Sequence, residues 1–390
     1  MVGHQAGRPQ GQPGQAAPLT PDQASQLLSD EGRTAVAFAS TLDLRAPIAA
    51  AEAVRPLGAL GRLALDQARL RVRALAKHPD GDRLWWTAEA LEQSTPRAVA
   101  LHHAARFAGS GTVLDLGCSV GGDLLALAAV APTIGVDVDL ARLLFARANT
   151  SAPVVCADVT TWSPRGAVFA DPARRADGRR GFDPATWSPP LGLVLSWPTS
   201  SLGVKVAPGI DYSLLPDDVD VEVVSLGGEV KEAVLWRGAV RDGCRRTATL
   251  LPSGARLSEA GAPVPAVRPP GRFLLEPDGA VIRAHLVEEV ARLVDGWLLD
   301  ASIAYVSADL AVPTPFGSWY EVHEVLPFSL KGLKERLRSY DAGPLVVKKR
   351  GTAVTPELLR RQLKLTGSRE VTVVLTRSRG KQIALIASPV

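Results

Sequence analysis

The stretch Thr112-Val113-Leu114-Asp115-Leu116-Gly117-Cys118-Ser119-Val120-Gly121-Gly122-Asp123 joins an apolar run, three glycines and two acids. Val113 to Leu116 has the length of a strand. Gly117, Gly121 and Gly122 let the backbone turn sharply and leave room above it. Asp123 is placed to cap the helix that Leu124, Leu125, Leu127 and Ala128 continue. A strand, a glycine turn and a helix N-terminus together make a site for an adenosine-containing cofactor. Further on, Ile134-Gly135-Val136-Asp137 reads as the next strand, ending in an acid that can accept hydrogen bonds from both ribose hydroxyls.

The spacing separates the cofactors. A nicotinamide fold requires Gly-x-Gly-x-x-Gly, and Gly117-x-x-x-Gly121 does not supply it. Asp115 would repel a pyrophosphate and attract a cationic amino-acid moiety. The stretch resembles the class I S-adenosylmethionine-dependent methyltransferases, whose pattern is acid-x-Gly-x-Gly-x-Gly with a second acid ending the next strand; Ser119 stands where their middle glycine usually is. The resemblance implies S-adenosyl-L-methionine as cofactor, held by Asp115, Gly117, Gly121 and Asp137. It also implies that Asp158, at the end of a third strand Val154-Val155-Cys156-Ala157-Asp158, contacts the adenine amino group.

Asp171-Pro172-Ala173-Arg174-Arg175 follows a fourth strand on the same carboxyl edge, where open α/β sheets bind ligands. It resembles the motif of methyltransferases acting on exocyclic amines of bases: an acid, Asn or Ser, then Pro-Pro and an aromatic. There the first side chain and a backbone carbonyl hold the amine, and the aromatic stacks the base. Asp171 and Pro172 match the first half; Ala173 and Arg174 replace the second proline and the aromatic. An arginine plane can stack on a base and hold a phosphate, so Arg174 and Arg175 are assigned to the substrate. None of Cys118, Cys156 and Cys244 is placed for covalent attack on a pyrimidine. Direct transfer to nitrogen needs orientation and a proton acceptor, which Asp171 can supply. Before the turn, Trp85 and Trp86 precede a cap at Thr87. They read either as a hydrophobic staple or as a lid over the methionine end of the cofactor, with Thr87 and Gln93 as polar contacts.

The elements that must position these groups follow in order. Residues 1–18 form a Gly-, Pro- and Gln-rich tail expected to be disordered. Residues 19–83 read as a helical domain, opened by the capping box Thr20-Pro21-Asp22-Gln23 and carrying the stripe Leu65, Ala68, Val72 and Leu75. Residues 84–238 read as an α/β core closing in a hairpin about Gly227-Gly228. Residues 239–280 read as a linker with a short strand near Thr247 to Leu251. Residues 281–390 read as an α+β module: a helix stripe of Ile282, Leu286, Val290 and Leu293, a helix capped by Ser329, another opened by Thr355-Pro356-Glu357, and a closing hairpin about Ser378-Arg379-Gly380.

Composition bounds the rest. At 390 residues with 46% hydrophobic content, the chain has more than one domain. It has no apolar run of membrane-span length, and its first residues lack the core of a signal peptide. Three cysteines without metal or disulfide spacing fit a reducing cytoplasm, and six scattered histidines show no zinc pattern. The net charge of +4 is unevenly spread: Ser329 to Val390 carries +10, so the remainder carries −6. A basic C-terminal module suggests a polyanionic partner, with Lys348-Lys349-Arg350 and the helix bearing Lys331, Lys334 and Arg338 as contacts.

Taken whole, from about Ser29 to the end, the chain resembles a bacterial family of class I methyltransferases ending in a THUMP-like domain. The resemblance is carried by residues 87–95, by Asp171 to Arg175, by Lys205-Val206-Ala207-Pro208-Gly209-Ile210, by Tyr320 to Lys331 and by Lys348-Lys349-Arg350-Gly351-Thr352. The catalytic half is similar in plan to the trimethylguanosine synthases, and THUMP domains elsewhere bind RNA. The expected function is methyl transfer to a base nitrogen of RNA. Two alternatives stand beside it: a small-molecule methyltransferase with a structural C-terminal domain, and a non-catalytic RNA-binding protein. The sequence leaves the oligomeric state open.

Overall fold

The computed structural model describes residues 18–173, 175–176, 179–180 and 183–390. Residues 1–17 of the tail expected to be disordered, and Arg174, lie outside the described residues; for Arg175 the description is of backbone alone. The chain divides into two compact units at Ser200/Ser201.

The first unit opens with helices α1 (Pro21–Leu28), α2 (Asp30–Ser40), α3 (Pro47–Val54) and α4 (Gly58–Ala74). The capping box of α1 is complete: Thr20 Oγ1 accepts from Gln23 N at 3.2 Å and Gln23 Oε1 accepts from Thr20 N at 3.0 Å. On α4 the expected stripe is corrected. Leu65 and Ala68 are buried, whereas Val72 is 58% and Leu75 48% exposed; Leu60, Ala64, Leu70 and Ala74 are buried in addition. Helix α2 packs against α4.

Helices α5 (Ala88–Gln93) and α6 (Arg97–Ala104) lead to strand β1 (Val113–Leu116), helix α7 (Gly122–Leu127), β2 (Thr133–Asp137), helix α8 (Leu140–Asn149), β3 (Val154–Cys156) and β4 (Gly166–Ala170). The strands are parallel in the order β4-β1-β2-β3. Parallel strands need crossover helices, and α7 and α8 provide them. The core of the helical region takes in Val120, Ala141 and Phe145, so helices and glycine turn share one interior. After β4 come the short pair β5 (Arg175–Ala176) and β6 (Arg179–Arg180), then helix α9 (Leu191–Ser196).

The second unit takes up β7 (Thr199–Val206), β8 (Val219–Leu226), β9 (Glu229–Gly238), β10 (Arg246–Leu251) and β11 (Ala255–Ser258), paired in the order β7-β9-β8-β10-β11. The β8/β9 hairpin turns at Gly227 and Gly228, both at positive φ as a hairpin turn requires. A second sheet follows, with β12 (Phe273–Pro277), helices α10 (Gly279–Arg283) and α11 (Val287–Leu293), β13 (Trp297–Leu298), β14 (Val306–Ala308), β15 (Gly317–Pro327), helix α12 (Leu330–Ser339), β16 (Ala342–Lys349), helix α13 (Pro356–Leu363), β17 (Arg369–Ser378) and β18 (Lys381–Pro389). Its order is β13-β14-β12-β15-β18-β17-β16.

The single helix expected over Ile282 to Leu293 is two: the chain breaks at His285, whose φ is +58. Residues 239–280 contribute three strands, β10, β11 and β12. One face of the second sheet is covered by α12 and α13 through Leu333, Leu337, Leu359 and Leu363, packed on Val371, Val373 and Leu375. Period-two alternation sends Val374 to the opposite face, where Leu274, Leu299, Ile303, Tyr305 and Tyr320 surround it.

Candidate functional site

Residues from β1, β2 and β4 meet at the carboxyl edge of the parallel sheet. β1 leaves the sheet at Gly117, whose φ of +83 only a glycine adopts without strain. Gly117 N and Cys118 N both donate to Val136 O, at 2.8 and 3.1 Å, so the turn is hung from β2. Ser119 has φ +51, the left-handed conformation that accounts for a glycine being usual here. Gly121, at φ +92, is the N-cap of α7. The expected cap by Asp123 is therefore corrected: Asp123 lies inside the first turn and accepts from Thr95 Oγ1 at 3.3 Å.

Asp137 ends β2 and braces the turn as well as facing its mouth. Its Oδ2 accepts from Ser119 N and its Oδ1 from Asp139 N, each at 2.9 Å. Each carboxylate oxygen keeps a second acceptor direction. Asp115 is 1% exposed and lies beneath the turn. Burial, then Asp115 and Asp137, push the Cys118 thiol far above the usual thiol range. Cys118 packs on Gly135, where an added Cβ would stand 2.9 Å from its Sγ. It fills the floor and is no nucleophile.

The Asp171-Pro172 segment lies against the turn. Asp171 N donates to Leu116 O at 2.9 Å, and a Cβ on Gly117 would come within 2.8 Å of Asp171 O. Pro172 is buried, and Ala173 pairs in both directions with Ser188, at 2.8 and 3.0 Å, closing the loop that contains β5 and β6. Arg175 starts β5.

Asp158 is exposed in the turn after β3 and accepts from Thr160 N at 2.8 Å and Thr160 Oγ1 at 2.7 Å, which hold its carboxyl below the usual range. Ala157 N donates to Asp137 O at 3.0 Å, which ties that turn to the end of β2. Thr87 caps α5, its Oγ1 accepting from Ala90 N at 3.1 Å. Gln93 is exposed and donates to Glu89 at 3.2 Å; Glu89 in turn pairs with Arg142 of α8 at 2.7 Å. Trp86 is 1% exposed, with its indole N–H on Gly81 O at 3.0 Å and its backbone held by Gln67, so the ring is core and not a lid.

Two residues of the site had no signature in the sequence. Asn149, the last residue of α8, accepts from Trp85 N at 2.7 Å and donates to Trp85 O at 3.0 Å and Val120 O at 2.8 Å. One amide thus joins the segment before α5 to the glycine turn; an asparagine at a helix end gives no local hint of partners 64 and 29 residues away. Val138, next to Asp137, is 66% exposed, an apolar side chain open at the mouth.

In the second unit Lys348 and Arg350 share one partner. Lys348 Nζ lies 2.9 Å from Glu276 Oε2, and Arg350 lies 3.4 Å from Glu276 Oε1. The pairing raises the Lys348 pKa. Lys349 is exposed. Among the described residues no group of three or more His, Cys, Asp or Glu could hold a metal, and no helix is long and apolar enough to cross a membrane.

Residues 317–389 match the family described as THUMP domain-like. The chain is 41% identical over 304 residues to an uncharacterized S-adenosylmethionine-dependent methyltransferase of Mycobacterium tuberculosis strain H37Rv, covering 75% of this chain and 84% of the relative. The counterpart in strain CDC 1551 matches to the same extent. A crystal structure from Porphyromonas gingivalis W83, assigned as a methyltransferase, superposes with a TM-score of 0.68 over 95% of this chain and 94% of the other, at 21% identity.

Proposed function

Because the chain belongs to the S-adenosylmethionine-dependent methyltransferases, we propose that it transfers a methyl group to a base nitrogen of RNA. The observation that carries the proposal is the approach of Asp171 to Gly117, which sets an acceptor-type loop against the cofactor turn. S-adenosyl-L-methionine supplies an electrophilic methyl group when bound. The residues present suit it: Gly117 and Gly121 leave the turn without side chains, and Asp115 and Asp137 concentrate negative charge where a sulfonium and an ammonium are to be held. Asp137 uses its remaining acceptor directions for ribose hydroxyls, Val138 offers apolar surface to the adenine, and Asp158 receives its amino group. Thr87 and Gln93 border the methionine end.

Asp171 orients the acceptor amine and takes the proton that the nitrogen sheds; Pro172 fixes the backbone beside it. Arg174 and Arg175 grip the base or its phosphate. Residues 19–83, 84–238 and 281–390 serve as helical, catalytic and THUMP-like domains, with 239–280 between the last two, and the basic C-terminal module presents the RNA.

The test is Asp171→Ala, scored by transfer of labelled methyl from S-adenosylmethionine into total RNA and by calorimetry with S-adenosylhomocysteine. Transfer should vanish while cofactor affinity stays nearly unchanged. Loss of both would place Asp171 on the cofactor, and an active variant would remove it from the reaction. A second reading, a small-molecule acceptor with a structural C-terminal module, draws support from Glu276, which engages two of the three cations of the Lys348–Arg350 triplet. Cofactor binding by the wild type without any labelling of RNA would select it.

A further inference from the structure

Nine of the fourteen cations from Ser329 to Val390 fall into two groups. Arg336 is held by Glu324 of β15 through contacts of 2.7 and 2.5 Å and lies over the Tyr340 ring, so it fastens α12 to the sheet. Lys348 and Arg350 bracket Glu276 and lie over Tyr320 and Tyr305 on the face opposite the helices. These three are tied to acids of the module itself, although Arg336 keeps about half of its side chain exposed. Lys331, Lys334 and Arg338 of α12 and Arg361 and Lys364 at α13 form the other class; among the described residues none has an ion-pair partner. Lys349 joins them. Leu345 and Val347 pack into the core beneath α12 and α13, and strand alternation puts Lys349 on that same face.

We propose that the outer surface of the α12–α13 layer, with Lys349 at its edge, is the surface that meets the RNA backbone, and that Lys348 and Arg350 take no part in it. The inference rests on the RNA reading above and deepens it. Six cations stand there against the two acids Glu335 and Glu357. None of the large apolar side chains of α12, β16 or α13 is exposed. A protein partner would seek an apolar centre to bury, and a membrane would seek apolar side chains to insert. A surface of unpaired cations with neither fits a chain of phosphates, each contact releasing a counterion.

The full-length protein is titrated with a fluorescein-labelled RNA hairpin at several salt concentrations. In one variant Lys331→Gln, Lys334→Gln, Arg338→Gln and Arg361→Gln are combined. In a second, Glu276→Gln, Lys348→Gln and Arg350→Gln are combined so that no charge is stranded. Affinity for S-adenosylhomocysteine checks that each variant is folded. The first variant should flatten the slope of log affinity against log salt by roughly three units, and the second should leave it unchanged. A slope kept by the first variant, or lost in the second, overturns this inference and leaves the RNA reading standing. Absence of RNA binding by the wild type at low salt overturns both.

Discussion

Gly117 and Asp171 touch: the Asp171 carbonyl oxygen occupies the space a side chain at position 117 would need, 2.8 Å from where its Cβ would sit. Two segments 54 residues apart in sequence are thereby made one site, because β1 and β4 are neighbours in register, Leu116 beside Ala170. The loop after β4 follows the turn after β1 at the closest distance a bare backbone permits.

Gly117→Ala should therefore do two kinds of damage. The left-handed backbone costs about 1–2 kcal/mol for a side-chain-bearing residue, and the new methyl must push the Asp171 carbonyl away. A lowered melting temperature together with loss of S-adenosylhomocysteine binding is expected. Gly121→Ala, whose Cβ meets only Ala146 at an ordinary 3.5 Å, should be milder.

Asp137→Ala should weaken cofactor binding by about 1–3 kcal/mol through lost ribose hydrogen bonds. It also frees Ser119 N and Asp139 N, so the turn should loosen even without ligand. Calorimetry gives the first effect and amide hydrogen exchange at Ser119 the second. Unchanged affinity would remove Asp137 from the cofactor.

Asn149→Ala should lower stability by about 2–3 kcal/mol, the sum expected for three modest hydrogen bonds with two carbonyls left unpaired. Asn149→Asp should be no better, because a carboxylate cannot donate to the Trp85 and Val120 carbonyls. Denaturant melts check both, and S-adenosylhomocysteine titration should show cofactor affinity falling alongside.

His78 is fully buried, with Nε2 3.1 Å from Ser94 Oγ and its ring 4.8 Å from Trp86. Burial lowers its pKa from 6.5 to about 4; Lys77 and Arg97 push the same way, and Asp80 and Asp123 oppose them. Between those values the unfolded chain binds a proton that the folded chain refuses. The stability contribution is therefore complete above about pH 6.5 and lost as pH falls toward 4, amounting to up to about 3 kcal/mol. Melts of the wild type and His78→Gln from pH 7 to 4 should converge in their pH dependence once this group is subtracted; an unaltered profile in the variant would assign acid sensitivity elsewhere.

What the sequence determined by itself was whatever is written in short-range chemistry. The glycine turn between β1 and α7 is legible because glycines at 117 and 121 and acids at 115 and 137 have fixed spacing on consecutive elements. The capping box at Thr20, the cap at Ser329 and the Gly227-Gly228 hairpin are legible because caps and turns act over a few residues. Tertiary structure alone decided which groups meet across the fold. The capping role moved from Asp123 to Gly121 because the turn reaches α7 in a left-handed conformation that only backbone geometry specifies. Val72 and Leu75, apolar and correctly spaced, are nonetheless exposed, because burial depends on which faces the neighbouring helices cover. Asn149 became a clamp through partners on a distant segment. Lys348-Lys349-Arg350 reads as one basic run; the strand's two-residue period sends Lys348 and Lys349 to opposite faces, and Glu276, 72 residues before Lys348, engages Lys348 and Arg350. Charge is a property of the sequence, but whether a charge is free depends on what the fold brings within about 4 Å of it.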